Sequence, residues 1–309
     1  MPSRHVLVAL TLAATVGGVA ALAGCDDGSS AANLDSSSAP TASATAAEPV
    51  NARFPTYVAL GDSYTAAPGV PETEQQSGCF RSSGNYPSLV AAELKSELVD
   101  VSCSGATTLA LVGAQDTGGK VTPAQFSALT PATALVTLGI GGNDLDLFQT
   151  LIGTCGQLGS SDPQGSPCRD QMQSGGKDLL VEKIGKIGAR VTSAVRRVRD
   201  RAPQATIVLV GYPQAVPATG TCDILPLAKG DYAYVRSVTE DLNDAMRAAA
   251  SKGKATYVDV GKASAGHDIC AGPDAWVNGM NTDITKAIAF HPFAAEQQAV
   301  ADLILGKLS

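Results

Sequence analysis

The feature that most constrains this chain is a regular alternation between short apolar segments and longer amphipathic ones. The short segments are rich in Val, Leu and Ile, as strands buried on both faces are, and they lie at 57–60, 98–102, 134–138, 206–210 and 256–260. The longer segments carry apolar residues at the helical period, and they lie at 86–96, 177–201, 232–250 and 293–308. This alternation predicts an α/β fold, in which helices cover both faces of a central parallel sheet in a three-layer α/β/α sandwich.

Residues 1–24 have the composition of an export signal. Arg4 is followed by an uncharged run of mostly Val, Ala, Leu and Gly from Val6 to Leu22, about the length of a signal-peptide core. The run ends in Leu-Ala-Gly-Cys, which resembles the lipobox of bacterial lipoproteins and implies a lipid attached to Cys25. The protein is therefore predicted to be exported and held at the outer face of the cell membrane. The alternative is an ordinary secretory signal with an incidental cysteine, which would leave the protein fully secreted.

Residues 25–53 are rich in Ser, Ala, Thr and Asp and contain no aromatic side chain. Such a segment cannot bury enough apolar surface to offset its conformational entropy, so it is predicted to be a disordered tether. The remaining residues, 54–309, show no internal repeat and are predicted to form one domain.

The seven cysteines divide into the lipidation candidate and six in the predicted domain. An even number of cysteines in an exported chain predicts disulfides. We favour pairing in chain order because each bond then closes a loop-like stretch, although the sequence permits other pairings. The favoured bonds are Cys79–Cys103, Cys155–Cys168 and Cys222–Cys270. The stretch around the second pair, residues 153–176, is predicted to be a surface loop.

Charge and motifs argue against several classes of function. The formal net charge of −7 disfavours a nucleic-acid binder, which needs a basic surface. No C-x-x-C motif occurs and the cysteine spacings suit no ordinary zinc site, so no metal is predicted. The glycine cluster at 139–142 lacks the Lys-Ser/Thr continuation of a phosphate-binding loop, and nothing else in the sequence indicates a cofactor.

Four separated motifs mark the candidate site. Ser63 ends a Gly-Asp-Ser turn after the first predicted strand, and Gly105 follows the second. Asn143 lies in a Gly-Gly-Asn-Asp stretch after the third strand, and His291 precedes the last predicted helix. Ligands bind beyond the carboxyl ends of strands in open α/β sheets, so the three motifs that follow strands are well placed to act.

Together and in this order, the motifs resemble those of the GDSL/SGNH hydrolase family, whose four blocks carry Ser, Gly, Asn and His. The resemblance covers essentially the whole predicted domain and implies the flavodoxin-like sandwich of that family. The spaced cysteines and the Gly-His-Asp-Ile-Cys segment at 266–270 look more like the secreted actinobacterial lipases and esterases of the family. The α/β-hydrolases are disfavoured because no G-x-S-x-G motif occurs.

The resemblance implies hydrolysis of carboxylic esters. Ser63 would attack the ester carbonyl after His291 takes its proton, and water would then release the acyl-enzyme. The backbone N–H groups of Ser63 and Gly105, with the Asn143 amide, would stabilise the oxyanion. His267, the other histidine of the domain, is expected to be a structural or rim residue.

The histidine motif departs from the family pattern. Most members carry an acid three residues before the histidine to fix its tautomer, but this chain has Ile288 there. Some actinobacterial relatives use a main-chain carbonyl at that position, so the Ile288 carbonyl is predicted to accept the Nδ1–H of His291. Asp283, eight residues before the histidine, is the alternative orienting group.

The favoured function is that of a lipid-anchored extracytoplasmic esterase or lipase acting on acyl lipids or simple esters. Two other functions stay open on the sequence alone. The same fold serves deacetylases and acyltransferases of envelope glycans, and a non-catalytic surface-binding lipoprotein could retain it.

Overall fold

The computed structural model of the protein describes residues 53–309. The predicted signal peptide, the lipidation site at Cys25 and the tether up to residue 52 lie outside the described residues. Among the helices of the described part, none is both long enough and apolar enough to cross a membrane.

Five parallel strands form the central sheet, and a short antiparallel pair forms a second sheet. The strands are β1 (Thr56–Gly61), β2 (Glu97–Asp100), β3 (Gln115–Asp116), β4 (Val121–Thr122), β5 (Leu135–Gly139), β6 (Thr206–Val210) and β7 (Thr256–Val258). The order in the central sheet is β2-β1-β5-β6-β7, and every neighbouring pair is parallel. The five predicted strands are confirmed with small shifts at their ends, whereas the β3–β4 pair had no predicted counterpart.

Alternating side chains of the central strands enter two different apolar clusters. On β1, Tyr57 and Ala59 belong to one cluster, and Val58 and Leu60 belong to the other. Both faces of the sheet are therefore covered, which is why its central strands are apolar throughout.

Helices supply the two outer layers. They are α1 (Ser63–Ala66), α2 (Tyr86–Leu94), α3 (Leu147–Gln149), α4 (Cys155–Ser161), α5 (Pro167–Met172), α6 (Leu179–Arg201), α7 (Tyr232–Gly253), α8 (Val260–Ala263) and α9 (Ala294–Leu308). α2 and α9 pack on one face of the sheet, and α6 and α7 pack on the other. The predicted three-layer α/β/α sandwich is confirmed.

The longest helix, α6, shows how the sequence forms these layers. Asp178 caps its start, accepting hydrogen bonds from the N–H groups of Leu180 and Val181 at 2.9 and 3.1 Å. Apolar side chains at the helical period are buried along one face, namely Leu180, Ile184, Ile187, Val191, Val195 and Val198. Burial of each such side chain stabilises the fold by about 1.5–3 kcal/mol, so this stripe holds α6 against the sheet.

The strand order creates a crevice beyond the carboxyl ends of β1 and β5. The chain leaves β1 for β2 on one side, and later returns to β5 on the other side of β1. Loops therefore diverge at this point, which is the usual ligand position in open α/β sheets. The loops that carry Ser63, Gly105 and Asn143 follow β1, β2 and β5 here.

The segment predicted to be a surface loop, residues 153–176, is largely helical. A π-helical turn (Thr150–Thr154) joins α3 to α4, and a short loop leads to α5. Its glycines resemble those of a loop, but Gly159 is required for packing, because a Cβ there would lie 2.6 Å from the Ala228 nitrogen. Tertiary contact thus stabilises a helix that local propensity disfavours.

Three disulfides join Cys79 to Cys103, Cys155 to Cys168 and Cys222 to Cys270. These are the pairs favoured from chain order. The Cys79–Cys103 bond attaches the loop after β2 to the segment between α1 and α2, and the Ser104 N–H also donates to the Cys79 carbonyl at 3.1 Å. These contacts fix the start of the loop that carries Gly105.

Candidate active site

The turn after β1 presents Ser63 at the start of α1. Gly61 permits a close approach of α1 and β5, because a Cβ there would lie 2.1 Å from Thr65 Oγ1 and 2.8 Å from the Gly139 carbonyl oxygen. Asp62 caps α1, since its Oδ1 accepts a hydrogen bond of 2.9 Å from the Tyr64 N–H. Ser63 is only 7% exposed. The turn therefore holds the serine in a mostly buried position at the crevice.

Buried side chains from distant parts of the chain hold this turn. The Gln125 amide accepts from the Gly61 N–H and donates to the Gly61 carbonyl, both at 2.9 Å. Gln297, near the start of α9, donates to the Tyr64 carbonyl at 3.0 Å. Both glutamines are buried, and an unmade hydrogen bond is costly in such an interior. The backbone around Ser63 is therefore firmly fixed.

Gly105 lies in the loop that follows β2. Its φ of +74° is a left-handed conformation that glycine adopts without steric cost. Within residues 53–309, the backbone N–H groups of Ser63 and Gly105 have no hydrogen-bond partner. Both N–H groups are thus available to a ligand.

Asn143 and Asp144 follow β5. The Asn143 amide donates to the Ala106 carbonyl at 3.1 Å, which joins this loop to the Gly105 loop. The fully buried Asp144 carboxylate accepts from the Thr108 N–H at 2.7 Å, from the Thr108 hydroxyl at 2.5 Å and from Arg190 at 2.9 Å. Arg190, on α6, therefore supports both loops, although no sequence motif indicated it.

Tyr212, which follows β6, connects two of these loops and was missed by the sequence analysis. Its hydroxyl donates to Asp62 Oδ2 at 2.5 Å and accepts from the Gly142 N–H at 2.8 Å. Burial raises the pKa of Asp62 to about 7, against the opposing effect of the hydrogen bond from Tyr212. The position of Tyr212 at the carboxyl end of a central strand is the signal that could have found it.

His291 lies in an irregular loop organised by Asn278. The Asn278 N–H donates to the His291 carbonyl at 2.9 Å. The Asn278 side-chain amide donates to the carbonyls of Asn281, Ala287 and Ile288 at 2.7, 2.9 and 3.3 Å. Asn278 thus closes the loop on itself just before α9 begins.

The predicted contact between His291 and the Ile288 carbonyl is corrected by the structure. Nδ1 of His291 lies 2.7 Å from the carbonyl oxygen of Ala289, two residues before the histidine. The Ile288 carbonyl instead accepts the backbone N–H of His291 at 3.2 Å, closing a turn in which Phe290 has a φ of +60°. A carbonyl can only accept, so Nδ1 carries the proton and Nε2 is left as the basic nitrogen.

The two alternative residues have other partners. The Asp283 carboxylate accepts from the N–H and hydroxyl of Thr285 at 3.0 and 2.6 Å, and these bonds hold the pKa of Asp283 below its ordinary value. His267 stacks on Trp276 with ring centroids 4.5 Å apart, and its Nδ1 contacts the Asp274 carbonyl at 2.7 Å. Neither arrangement directs these side chains to the His291 ring.

Tyr64, the residue after Ser63, contacts the His291 loop. Its ring stacks on that of His291 with centroids 5.6 Å apart, and its hydroxyl donates to the Phe290 carbonyl at 2.8 Å. In the described part of the chain no hydrogen bond joins Ser63 Oγ to His291, and such bonds often tighten only when substrate binds. Burial lowers the pKa of His291 from 6.5, against the effect of the Ala289 carbonyl, so the neutral imidazole is favoured.

An apolar pocket with a cavity volume of about 50 Å³ lies beside Tyr64. Aromatic rings line one part of it, and aliphatic side chains of residues 151–152 and 225–227 line another. The aromatic residues are Tyr64, Phe148, Tyr212 and Phe290. A narrow apolar pocket of this kind suits a hydrocarbon chain.

The crevice therefore combines a serine hydroxyl, an imidazole in a defined tautomer and three N–H donors. These are the types of group that nucleophilic acyl transfer uses. Across residues 53–309 there is no cluster of His, Cys, Asp and Glu side chains that could hold a metal ion.

Residues 59–299 match the GDSL-like Lipase/Acylhydrolase family, and the chain belongs to that family. The resemblance seen in the four sequence motifs is thereby confirmed. The protein is a carboxyl-ester hydrolase, as its relatives named lipase and esterase also indicate.

Relatives from Streptomyces match most of the chain. Lipase 2 of Streptomyces coelicolor is 40% identical over 252 residues, which are 80% of this chain and 83% of that protein. The crystal structure of phospholipase A1 from Streptomyces albidoflavus matches with a TM-score of 0.65 and 28% identity, over 83% of this chain and 100% of that one. An extracellular lipase from Streptomyces rimosus matches with a TM-score of 0.64 and 26% identity, over 82% and 99% of the two chains.

Proposed function

We propose that the protein is an exported serine esterase or lipase that cleaves acyl esters through an acyl-enzyme on Ser63. Nε2 of His291 takes the hydroxyl proton as Ser63 Oγ attacks the ester carbonyl. The tetrahedral intermediate then collapses, and His291 gives the proton to the departing alcohol. Water attacks the acyl-enzyme by the same route, which releases the carboxylic acid and restores the serine.

The orientation of His291 is the observation that carries this proposal. The 2.7 Å contact between Nδ1 and the Ala289 carbonyl selects the tautomer whose Nε2 is a base. The lowered pKa of His291 keeps that base neutral at physiological pH. A main-chain carbonyl thus performs the orienting role that an acid performs in most members of the family.

The proposed oxyanion donors are the N–H groups of Ser63 and Gly105 and the side-chain amide of Asn143. The amide of Asn143 has two N–H hydrogens, and the Ala106 carbonyl accepts from this nitrogen through one of them. The second is left for a ligand. A donor of this kind contributes about 3 kcal/mol of transition-state stabilisation.

The apolar pocket supports acyl chains longer than acetate as the substrate class. An acetyl group would leave this aromatic and aliphatic lining unused, whereas a longer hydrocarbon chain would bury it. The names of the Streptomyces relatives, a lipase and a phospholipase A1, are consistent with that choice.

The test uses the purified full chain and p-nitrophenyl esters of graded chain length. Wild type is expected to hydrolyse them, with kcat/KM higher for medium chains than for acetate. Ser63→Ala and His291→Ala are expected to lose about 10⁴-fold or more in kcat. His267→Ala, which removes the other histidine of the domain, is the matched control and is expected to retain activity.

Three outcomes would contradict the proposal. Full activity of Ser63→Ala or His291→Ala would reject the assigned pair. Turnover of acetate esters and acetylated glycans alone would favour a glycan deacetylase. No turnover of any ester would favour a surface-binding protein.

We further propose that the lipid at Cys25 holds the enzyme on the outer face of the membrane. The Leu-Ala-Gly-Cys sequence supports lipidation, and the extracellular lipase of Streptomyces rimosus supports export.

Lipidation is tested by labelling cells with radioactive palmitate and separating membranes from medium. Wild type is expected in the membrane fraction with label, and Cys25→Ser in other fractions without it. Unlabelled wild type in the medium would support the ordinary secretory signal instead.

A further inference from the structure

We propose that Tyr212 is a positioning residue that holds the Ser63 turn and the Asn143 loop in register with each other and with the acyl pocket. This rests on the proposed function, because it assigns Tyr212 to the reaction of Ser63. Tyr212 lies two residues after the end of β6 and is 2% exposed.

The Tyr212 hydroxyl uses both of its hydrogen-bonding capacities on the two loops. It donates to Asp62 Oδ2 at 2.5 Å and accepts from the Gly142 N–H at 2.8 Å. Asp62 directly precedes Ser63, and Gly142 directly precedes Asn143. A single oxygen atom therefore fixes the distance between the neighbours of the nucleophile and of the oxyanion amide. A shift of either loop would break a bond in a fully buried environment, where such losses are costly.

The backbone of Tyr212 is itself fixed. Its N–H donates to Asn243 Oδ1, and the Asn243 amide donates back to the Tyr212 carbonyl, both at 2.9 Å. Asn243 is a buried residue of α7. The Tyr212 backbone is thus fixed between the sheet and α7, and its rigid ring carries the hydroxyl to the two loops.

The phenol retains the proton that its role as a donor requires. Burial raises the pKa of Tyr212 well above its ordinary value, and the neighbouring Asp62 carboxylate adds to the effect. The hydrogen bond to Asp62 is therefore donated by a neutral phenol at neutral and moderately alkaline pH.

The ring of Tyr212 also lines the apolar pocket. It lies edge-on to Tyr64 and to Phe148, with centroid distances of 5.3 and 4.9 Å. An acyl chain in the pocket would contact the same side chain that holds the Ser63 turn. The ring therefore joins the acyl pocket to the two loops that the hydroxyl holds.

The test removes the hydroxyl alone in the full chain, with p-nitrophenyl acetate and p-nitrophenyl octanoate as substrates. Tyr212→Phe is expected to lower kcat by about 10- to 100-fold, as small misplacements of reacting groups do. KM should change by less than about threefold on both substrates because the ring is retained.

Tyr257→Phe is the matched control. The Tyr257 hydroxyl bonds Asn243 at 3.1 Å, so its removal perturbs the same buried amide without altering the bonds to Asp62 and Gly142. This variant is expected to keep kcat within about twofold of wild type. Titration of the reactive serine with a fluorophosphonate counts folded sites in each preparation, and Tyr212→Phe is expected to label fully but slowly.

Two results would overturn the assignment: a kcat of Tyr212→Phe within about twofold of wild type, or an equal loss in Tyr257→Phe. If Tyr212→Phe does not fold, Asp62→Asn tests the same link, since the amide oxygen can still cap α1. The kcat of Asp62→Asn should fall while the fluorophosphonate still labels every active serine. An unchanged kcat would overturn the proposal. Failure of the proposed function is distinguishable, because Ser63→Ala would then stay active.

Discussion

The serine and the histidine of this site are held in contrasting ways. The Ser63 turn is bound by buried side chains that are remote in sequence, namely Gln125, Tyr212 and Gln297. The His291 loop is partly exposed, and most of its hydrogen bonds come from within about a dozen residues, above all from the Asn278 amide. Two remote contacts add to these, from the Tyr64 hydroxyl to the Phe290 carbonyl at 2.8 Å and from the Ile288 N–H to the Pro68 carbonyl at 3.1 Å. The core of the domain thus fixes one side of the crevice, and a loop closed mainly by its own residues forms the other.

The difference follows from what each side must do. In the proposed mechanism the serine side keeps a nucleophile aligned with three separate N–H donors, so three loops have to be held in register. The histidine side has one requirement, a fixed tautomer at one ring, and a single main-chain carbonyl meets it. Substitutions on the two sides should therefore have effects on kcat and on its pH dependence that differ in magnitude and in type.

Among substitutions that leave Ser63 and His291 intact, the largest effect on kcat is expected on the serine side, at Asn143. Asn143→Ala removes one oxyanion donor and should lower kcat by about 100- to 1000-fold with little change in KM. Steady-state kinetics on a p-nitrophenyl ester measures this, with the exposed Asn281→Ala as the control. A loss below about tenfold would remove Asn143 from the oxyanion site.

A smaller loss is expected on the histidine side, at Asn278. Asn278→Asp keeps the size of the side chain but replaces a donor with an acceptor facing the carbonyls of Ala287 and Ile288. The loop should loosen, and kcat should fall by about 10- to 100-fold while fluorophosphonate still labels Ser63. Asn281→Asp makes the same charge change at an exposed neighbouring position and should be silent. Equal losses of kcat in Asn278→Asp and Asn281→Asp would show that the added charge, and not the lost hydrogen bonds, causes the effect.

Titration should distinguish the two sides through the pH dependence of kcat/KM. The base must be neutral, so activity rises with pH through the pKa of His291, which lies below 6.5, and then levels off. On the serine side, Asp62 faces Tyr212, Tyr64 and Asp144 and has a pKa of about 7. Its protonation weakens the hydrogen bond that it accepts from the Tyr212 hydroxyl, so activity should rise again near pH 7. Asp62→Asn should abolish only that upper step, and a persistent upper step would refute its assignment.

The smallest effect on turnover is expected at Glu296, between the two regions. Burial raises the pKa of Glu296 to about 8 from an ordinary 4.5, so the folded state binds a proton that the unfolded state releases. The free energy of unfolding should therefore fall as pH rises from 4.5 to about 8 and stay level above. Glu296→Gln should remove that decline and stabilise the protein above pH 8 by on the order of 2 kcal/mol, with kcat unchanged.

Urea unfolding at acidic and alkaline pH measures this effect. Asp302→Asn, which removes an exposed carboxylate from the same helix, is the control and should leave the pH dependence as in wild type. A Glu296→Gln variant that keeps the wild-type decline would show that Glu296 does not titrate in the folded protein.

The sequence predicted those features of the fold and of the candidate site that neighbouring residues determine. Apolar periodicity identified the central strands and the long helices, and motif order identified Ser63, Gly105, Asn143 and His291 as candidates. The orienting carbonyl was missed by one residue, because its position depends on the left-handed conformation of Phe290, which its side chain does not signal.

The supporting residues of the serine side were missed for a different reason. Gln125, Tyr212 and Gln297 are polar residues in unremarkable contexts, and only tertiary folding brings them to the turn. The helical nature of residues 153–176 was hidden in the same way, since contact with Ala228 outweighs the glycine content. Sequence pattern therefore identified the candidate reacting groups but not the buried side chains that hold them.

The location of Gln297 couples the helix α9 to the serine side of the crevice. Its amide supports the Tyr64 carbonyl at 3.0 Å and also accepts the Tyr86 N–H at 2.7 Å. One buried side chain of α9 therefore contacts both the turn that carries Ser63 and the first turn of α2. A substitution that shifts α9 against the sheet would thus disturb the Ser63 turn without altering any residue of the crevice.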